Sequence, residues 1–178
     1  MNQITAIQCL NKLDQQGHYV FTHKDLAKLF SEDSKRAFEA GLSRLVKQGV
    51  LLRACKGVYV YALSRHKGLH TLELIAKAIR RGEYNYVSLE SALSEYGAIS
   101  QIPIDRLTVM TTGRKGEYHT PFGTIEFTHT KRSVSDIINH IHFVGRPLRL
   151  ANKQAAYRDL KRVGRNTHLV EEDIIYEN

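Results

Sequence analysis

Residues 34–61 read SKRAFEAGLSRLVKQGVLLRACKGVYVY, a helix-forming half followed by a strand-forming half. The first half has the period of an amphipathic helix. At 100° per residue, Phe38, Leu42, Leu45 and Val46 fall on one face, and Arg36, Glu39, Ala40, Ser43 and Lys47 fall on the opposite face, with Arg44 flanking it. Gly49 suits the residue after a helix C-terminus. The second half changes period. Leu51-Leu52-Arg53, a turn over Ala54-Cys55-Lys56-Gly57, and Val58-Tyr59-Val60-Tyr61 predict a β-hairpin. Ser31-Glu32-Asp33-Ser34 reads as the helix start, with acids in the first turn where the helix dipole favours them. Gly41 in mid-helix costs roughly 1 kcal/mol against Ala, and close approach of another helix would explain it.

Working outward, Ile4, Ile7, Leu10 and Leu13 recur at three-residue steps and predict a first helix ending by Gly17. Thr22-His23-Lys24-Asp25 reads as a capping box that opens a short helix from Lys24 to about Phe30. Helix, short helix, helix, hairpin is the order of a winged helix-turn-helix, in which the third helix enters the major groove and the hairpin is the wing. A solvated charged face is the plainer reading of any single amphipathic helix. The element order and Lys56 at the wing tip favour DNA. The expected contacts are Lys35, Arg36, Ser43, Arg44 and Lys47 on the third helix, with Arg53 and Lys56 on the wing reaching phosphate or the minor groove.

Ser64-Arg65-His66-Lys67-Gly68 is a polar linker, so the expected domains are 1–66 and 69–178. Beyond it, Leu69, Leu72, Ile75, Ala76 and Ile79 mark a helix, and Ser88 caps another that runs to about Tyr96. Residues 104–130 alternate, with turns at Gly113-Arg114-Lys115-Gly116 and Pro121-Phe122-Gly123, and read as a β-meander. Ser133 opens a short helix, Leu148-Arg149-Leu150 is strand-like, and Asn152 caps a helix from Lys153 to Val163. The expected class is α+β: an N-terminal winged helix-turn-helix followed by a second α+β domain containing a β-meander.

Charge points the same way. The 178 residues carry a net +8. Residues 1–67 hold 11 basic and 5 acidic residues, whereas residues 68–178 hold 15 and 13, with acids gathered in the tail. Such an excess suits a polyanionic partner, most often nucleic acid. In the second domain, basic residues cluster at Arg80-Arg81, Arg114-Lys115, Lys131-Arg132, Arg146 with Arg149, and Lys161-Arg162 with Arg165. Each is more often a solvated face than a ligand site; together they are expected to extend a phosphate footprint.

Other chemistries find little support. The longest apolar run, Val58 to Leu63, falls short of the roughly twenty residues a membrane helix needs. No secretory pattern opens the chain, and Cys9 and Cys55 fit neither a disulfide framework nor a CxxC site, so the expected location is the cytoplasm. His140-Ile141-His142, His119 and His129 lack HExxH or carboxylate spacing, so no metal is expected. Gly113–Gly116 lacks the GxxxxGK[ST] pattern and a following helix, although Arg114 and Lys115 can touch a phosphate backbone. There is no GxSxG. The expectation is a protein without catalytic residues or cofactor.

Several segments resemble the AbiEi family of bacterial antitoxins from type IV toxin–antitoxin (abortive infection) systems. The wing Leu51-Leu52-Arg53…Gly57-Val58-Tyr59 looks like that family's hairpin. Tyr86-Val87-Ser88-Leu89-Glu90-Ser91-Ala92-Leu93, followed by Gly97, resembles its Tyr-x-Ser-x-Glu-Ser-Ala-Leu…Gly segment. The strands around Val109 and Ile125 and the stretch Leu150 to Leu160, with Ala151, Ala156, Asp159 and Leu160, look like its later segments. The resemblance covers about residues 50 to 165, and the first 50 read as a generic helix-turn-helix. It implies a repressor that binds inverted repeats in the double-stranded promoter DNA of its own operon. It also implies an antitoxin against a cognate nucleotidyltransferase-like toxin, without a stable complex, and a place in phage defence. Two recognition helices one DNA turn apart imply two molecules per operator. A stand-alone winged-helix transcription factor with a sensing or dimerisation domain is the alternative. A nuclease or transferase with a DNA-binding arm and an RNA-binding winged helix remain further readings.

Overall fold

The computed structural model describes residues 1–100 and 104–178. The chain divides into two compact units, residues 1–71 and 72–178.

In the first unit the order is α1 (Gln3–Asp14), β1 (Val20–Thr22), α2 (His23–Leu29), α3 (Lys35–Lys47), β2 (Leu51–Cys55) and β3 (Val58–Tyr61). The winged helix-turn-helix is present, with one strand more than the sequence suggested. β1 pairs antiparallel with β3, Val20 opposite Val60 and Thr22 opposite Val58, and β2 pairs with the other edge of β3. That central position buries all four residues of β3. β1 has only three residues, too few to show a period. The capping box forms as read: Asp25 N–H donates to Thr22 Oγ1 and Thr22 N–H to Asp25 Oδ2.

α3 starts one signal later than expected. Ser34 is the N-cap, accepting from Ala37 N–H, so Glu32 and Asp33 precede the helix and no acid occupies its first turn. It ends in a Schellman motif: Gly49, at φ +72°, donates to the Val46 carbonyl and Val50 to the Leu45 carbonyl. Phe38, Gly41, Leu42 and Leu45 are buried. Each of the three large side chains contributes roughly 1.5–3 kcal/mol by leaving water. Gly41 meets no helix; it meets Met1, and a Cβ there would stand 3.2 Å from Met1 Sδ and 3.3 Å from Met1 Cβ.

The second unit holds α4 (Thr71–Ile79, whose first residue closes the first unit), β4 (Asn85–Val87), α5 (Leu89–Glu95), β5 (Arg106–Thr111), β6 (Gly116–Thr120) and β7 (Gly123–His129). It continues through α6 (Val134–His140), β8 (Ile141–His142), β9 (Arg149–Ala151), α7 (Lys153–Val163), a 3₁₀ turn and α8 (Glu172–Tyr176). It is α+β, but β5, β6 and β7 are not a meander. The sheet order is β6-β7-β5-β4-β9-β8, and β5 runs parallel to β7, with Val109 opposite Phe127. The two turns were legible in the sequence; the pairing direction was not, because alternation marks a strand's faces and not its neighbour. Leu69, assigned to the first helix by its spacing, lies outside α4 and is exposed.

Two segments that carry the family resemblance meet in this core. Ser88 sits at the N-cap position of α5, yet its hydroxyl makes no cap bond and instead donates to Asp159 Oδ2 on α7 at 2.8 Å. Tyr86 hydroxyl donates to the same oxygen at 3.4 Å, and Arg132 Nε stands 3.4 Å from Asp159 Oδ1. Burial first, and the Asp159 charge second, push the Tyr86 phenol well above its usual pKa. Nearby, Arg165 clasps Glu90 with two hydrogen bonds, 2.6 and 3.0 Å, and Asn166 adds a third. Burial pushes the Glu90 carboxyl up, but these donors outweigh it and hold the group below the ordinary carboxylate range. Leu89, at the strand-to-helix corner, has φ +58° and is fully buried. Its left-handed backbone costs roughly 1–2 kcal/mol, which its packing offsets.

Candidate nucleic-acid interface

α3 presents the face the sequence describes. Lys35, Arg36, Glu39, Ala40, Ser43, Arg44 and Lys47 are all exposed, opposite the buried Phe38, Leu42 and Leu45. Lys35 and Arg36 occupy the first turn, where the helix dipole disfavours cations, and no acid in that turn offsets them. That placement costs about 0.3–1 kcal/mol. Arg44 and Lys47 in the last turn are favourably placed.

The wing is a tight hairpin. β2 runs through Cys55, so the turn is Lys56-Gly57 rather than four residues, with Gly57 at φ +79°. A register shift between Arg53 and Cys55 bulges β2. Arg53 and Lys56 are exposed, and His23 N–H donates to the Gly57 carbonyl at 2.8 Å, tying the wing tip to the start of α2. Among the described residues, none of Lys35, Arg36, Lys47, Arg53 and Lys56 has an acidic partner within ion-pair distance.

Two positions differ from the simplest picture. Arg44 Nη2 donates to the Met1 carbonyl at 3.1 Å, so its guanidinium is partly engaged at the edge of the face. Glu39, in the middle of the face, meets His23 Nε2 at 2.8 Å, and the His23 ring packs edge-on against Phe38 with centroids 5.2 Å apart. His23 therefore braces α2 against α3 and orients the only acid of the face. The wheel showed Glu39; nothing local marked His23 as its partner, sixteen residues away. A carboxylate here is an acceptor-only group, suited to the N4 amine of cytosine.

Ser64, His66 and Asp14 also converge. Ser64 hydroxyl donates to Asp14, and His66 Nδ1 lies 3.1 Å from the same oxygen. The serine is bonded to the carboxylate and not to the imidazole, so the ring does not activate it as a base would. The cluster anchors the linker to the end of α1. Burial pushes Asp14 up, and the Ser64, His66 and Arg65 donors overcome this and lower its pKa. Among the described residues, no group of three or more His, Cys, Asp or Glu side chains is placed to hold a metal ion, and no helix is long and apolar enough to cross a membrane.

In the second unit most basic clusters are split. Arg146 is paired with Glu73 and Glu95, Arg165 with Glu90 and Glu126, and Arg132 with Asp136 and Asp159. Arg80 is buried under aromatic rings. Arg114, Lys115, Lys131, Arg149, Lys161 and Arg162 remain exposed.

Residues 10–62 match the family model described as "Transcriptional regulator, AbiEi antitoxin". This is the family that the sequence resembles, and the match supports a DNA-binding antitoxin or transcriptional regulator. The matched residues lie mostly in the part that reads as a generic helix-turn-helix, whereas the resembling segments lie mostly beyond it. No curated protein matches the chain. Among solved structures, the crystal structure of the RV2827C protein from Mycobacterium tuberculosis is similar in fold, with a TM-score of 0.57 at 15% identity over 83% of this chain. The chain spans 57% of that protein's length.

Proposed function

We propose that the protein is a transcriptional repressor and antitoxin of a type IV toxin–antitoxin system, acting in the cytoplasm in phage defence by abortive infection. The observation that carries this reading is the exposed cationic face of α3 beside a basic wing, within residues that match an antitoxin regulator family. Arg36, Ser43 and Lys47 read base edges and phosphates from the major groove, Lys35 adds a phosphate contact at the helix entry, and Arg44 flanks them. Arg53 and Lys56 on the wing touch the adjacent backbone. Two molecules occupy the inverted repeats of one operator. The second unit carries the antitoxin role against a nucleotidyltransferase-like toxin, with no stable complex and no chemistry of its own.

The test is binding to the chain's own upstream DNA against scrambled DNA of equal length, over a range of salt. The expected preference is about a thousandfold or more, with two molecules per site. Equal affinity for both DNAs would overturn the repressor reading. Co-expression with the toxin-like product of a neighbouring gene tests the other half. Rescue is expected, and failure of rescue with intact operator binding would favour a stand-alone winged-helix transcription factor.

A further inference from the structure

A groove of about 800 Å³ opens in the second unit between the end of α4 and the turn that links β5 to β6, lined among others by Arg81, Glu83, Arg114, Lys115 and His129. We infer that this groove is a phosphate-binding site, taking a phosphate ester or pyrophosphate group on the Arg114-Lys115 turn.

Its construction separates it from an ordinary solvated turn. Beneath that turn lies Arg80, 8% exposed, with its guanidinium over Phe127 at 4.5 Å and near Tyr118 at 5.2 Å. Its Nε donates to the Arg114 carbonyl at 2.9 Å and its Nη1 to the Tyr118 hydroxyl at 3.0 Å. Among the described residues no carboxylate lies within ion-pair distance of Arg80. A buried cation satisfied only by neutral groups keeps its field, and a low-dielectric wall focuses that field into the groove.

The turn is also held in one shape. Gly113 N–H donates to Thr111 Oγ1 at 3.0 Å, and His129 Nδ1 donates to the Gly113 carbonyl at 2.7 Å. That bond leaves His129 Nε2 as the ring's remaining polar atom. A Cβ at Gly113 would stand 3.0 Å from Glu83 Cγ and 3.1 Å from Arg80 Cδ, so the glycine lets the turn sit directly on the buried arginine. Glu83, the one acid of the lining, accepts a hydrogen bond from the Thr112 hydroxyl at 2.5 Å. A preformed turn binds an anion without losing much freedom. The exposed cations and the field of Arg80 make that anion a phosphate, whether free or part of a polymer backbone.

The experiment uses the full chain and calorimetric titration with inorganic pyrophosphate and with a nucleoside monophosphate at fixed ionic strength. Arg114→Ala with Lys115→Ala is compared with Lys161→Ala with Arg162→Ala, an equally basic exposed pair in the same unit. Saturable binding is expected, weakened tenfold or more by the Arg114/Lys115 pair and less than twofold by the control pair. Both double variants are expected to melt with the parent. The same variants are then tested on duplex DNA for the salt dependence of binding. A slope reduced by about two in the Arg114/Lys115 pair alone, without binding of the small phosphates, assigns the site to a polymer backbone. Saturable small-phosphate binding with an unchanged slope assigns it to a free phosphate ester. Absence of both, or equal loss in the two variants, overturns the inference. Loss of sequence preference, read on α3 variants, is a separate outcome.

Discussion

The two units use arginine in opposite ways. On the face of α3 and on the wing, Arg36 and Arg53 stand in solvent without acidic partners, set on a helix and strand whose other sides are buried. In the second unit Arg132, Arg146 and Arg165 have turned inward, where they clasp carboxylates. A cation without a partner keeps its field for a ligand, whereas a paired one is committed to stability. Composition counts both alike. The difference teaches that positive charge locates a nucleic-acid surface only after the internal pairs are subtracted.

The sharpest break of this contrast lies at Asp159. Asp159→Ala strips the buried partner from Ser88 and Arg132, and a loss of about 3–5 kcal/mol in urea unfolding is expected. A loss below 1 kcal/mol would place Arg132 among the solvated cations. On the other side, Arg36→Ala with Lys47→Ala should leave the unfolding curve unchanged. It should weaken operator binding by about 2 kcal/mol or more, and lower the salt slope by about two. Unaltered binding would show that an exposed cation is no better a guide than a paired one.

Acid weakens the paired groups. Asp14 and Glu90 both have folded pKa values below their ordinary ones, so their contribution is present at neutral pH and is lost as the pH falls through the carboxylate range, roughly 4 and below. Melting temperature measured from pH 6 to pH 3 should fall, and Asp14→Asn or Glu90→Gln should each remove part of that fall. In the second unit the Tyr157 phenol, raised to about 12 by its bond to Glu172 and by burial, is neutral throughout that range and contributes nothing to the fall. The smallest effect is expected at Gly41. Gly41→Ala gains helix propensity and crowds the Met1 side chain, so stability should move by less than about 1 kcal/mol. A larger loss would make Met1 a fixed part of the recognition helix.

How much was legible follows the range of the signal. The capping box at Thr22, the buried stripe of α3, the Gly49 terminus and the Asn152 cap act within one helical turn, and the structure has them where the sequence put them. Strands β1, β4 and β8 have two or three residues and leave no period to read. Ser88 carries a sound N-cap signal, yet its hydroxyl is claimed by Asp159, 71 residues away. Gly41 does lie at a close approach, but of Met1 and not of the helix its position suggested, and no local pattern names that neighbour.

Sequence alone was enough for the order of the three helices and the hairpin in the first unit, the sign of the face that α3 leaves open, and the placement of Lys56 at the wing tip. Local hydrogen bonding and hydrophobic period suffice for these, because their partners lie within a few residues. Tertiary structure alone decided that β5 runs parallel to β7, that Arg165 closes on Glu90 75 residues away, and that Arg80 stands beneath the Arg114-Lys115 turn. Each depends on which distant segments share a core, and a charge count or a period along the chain carries no record of a contact between residues so far apart.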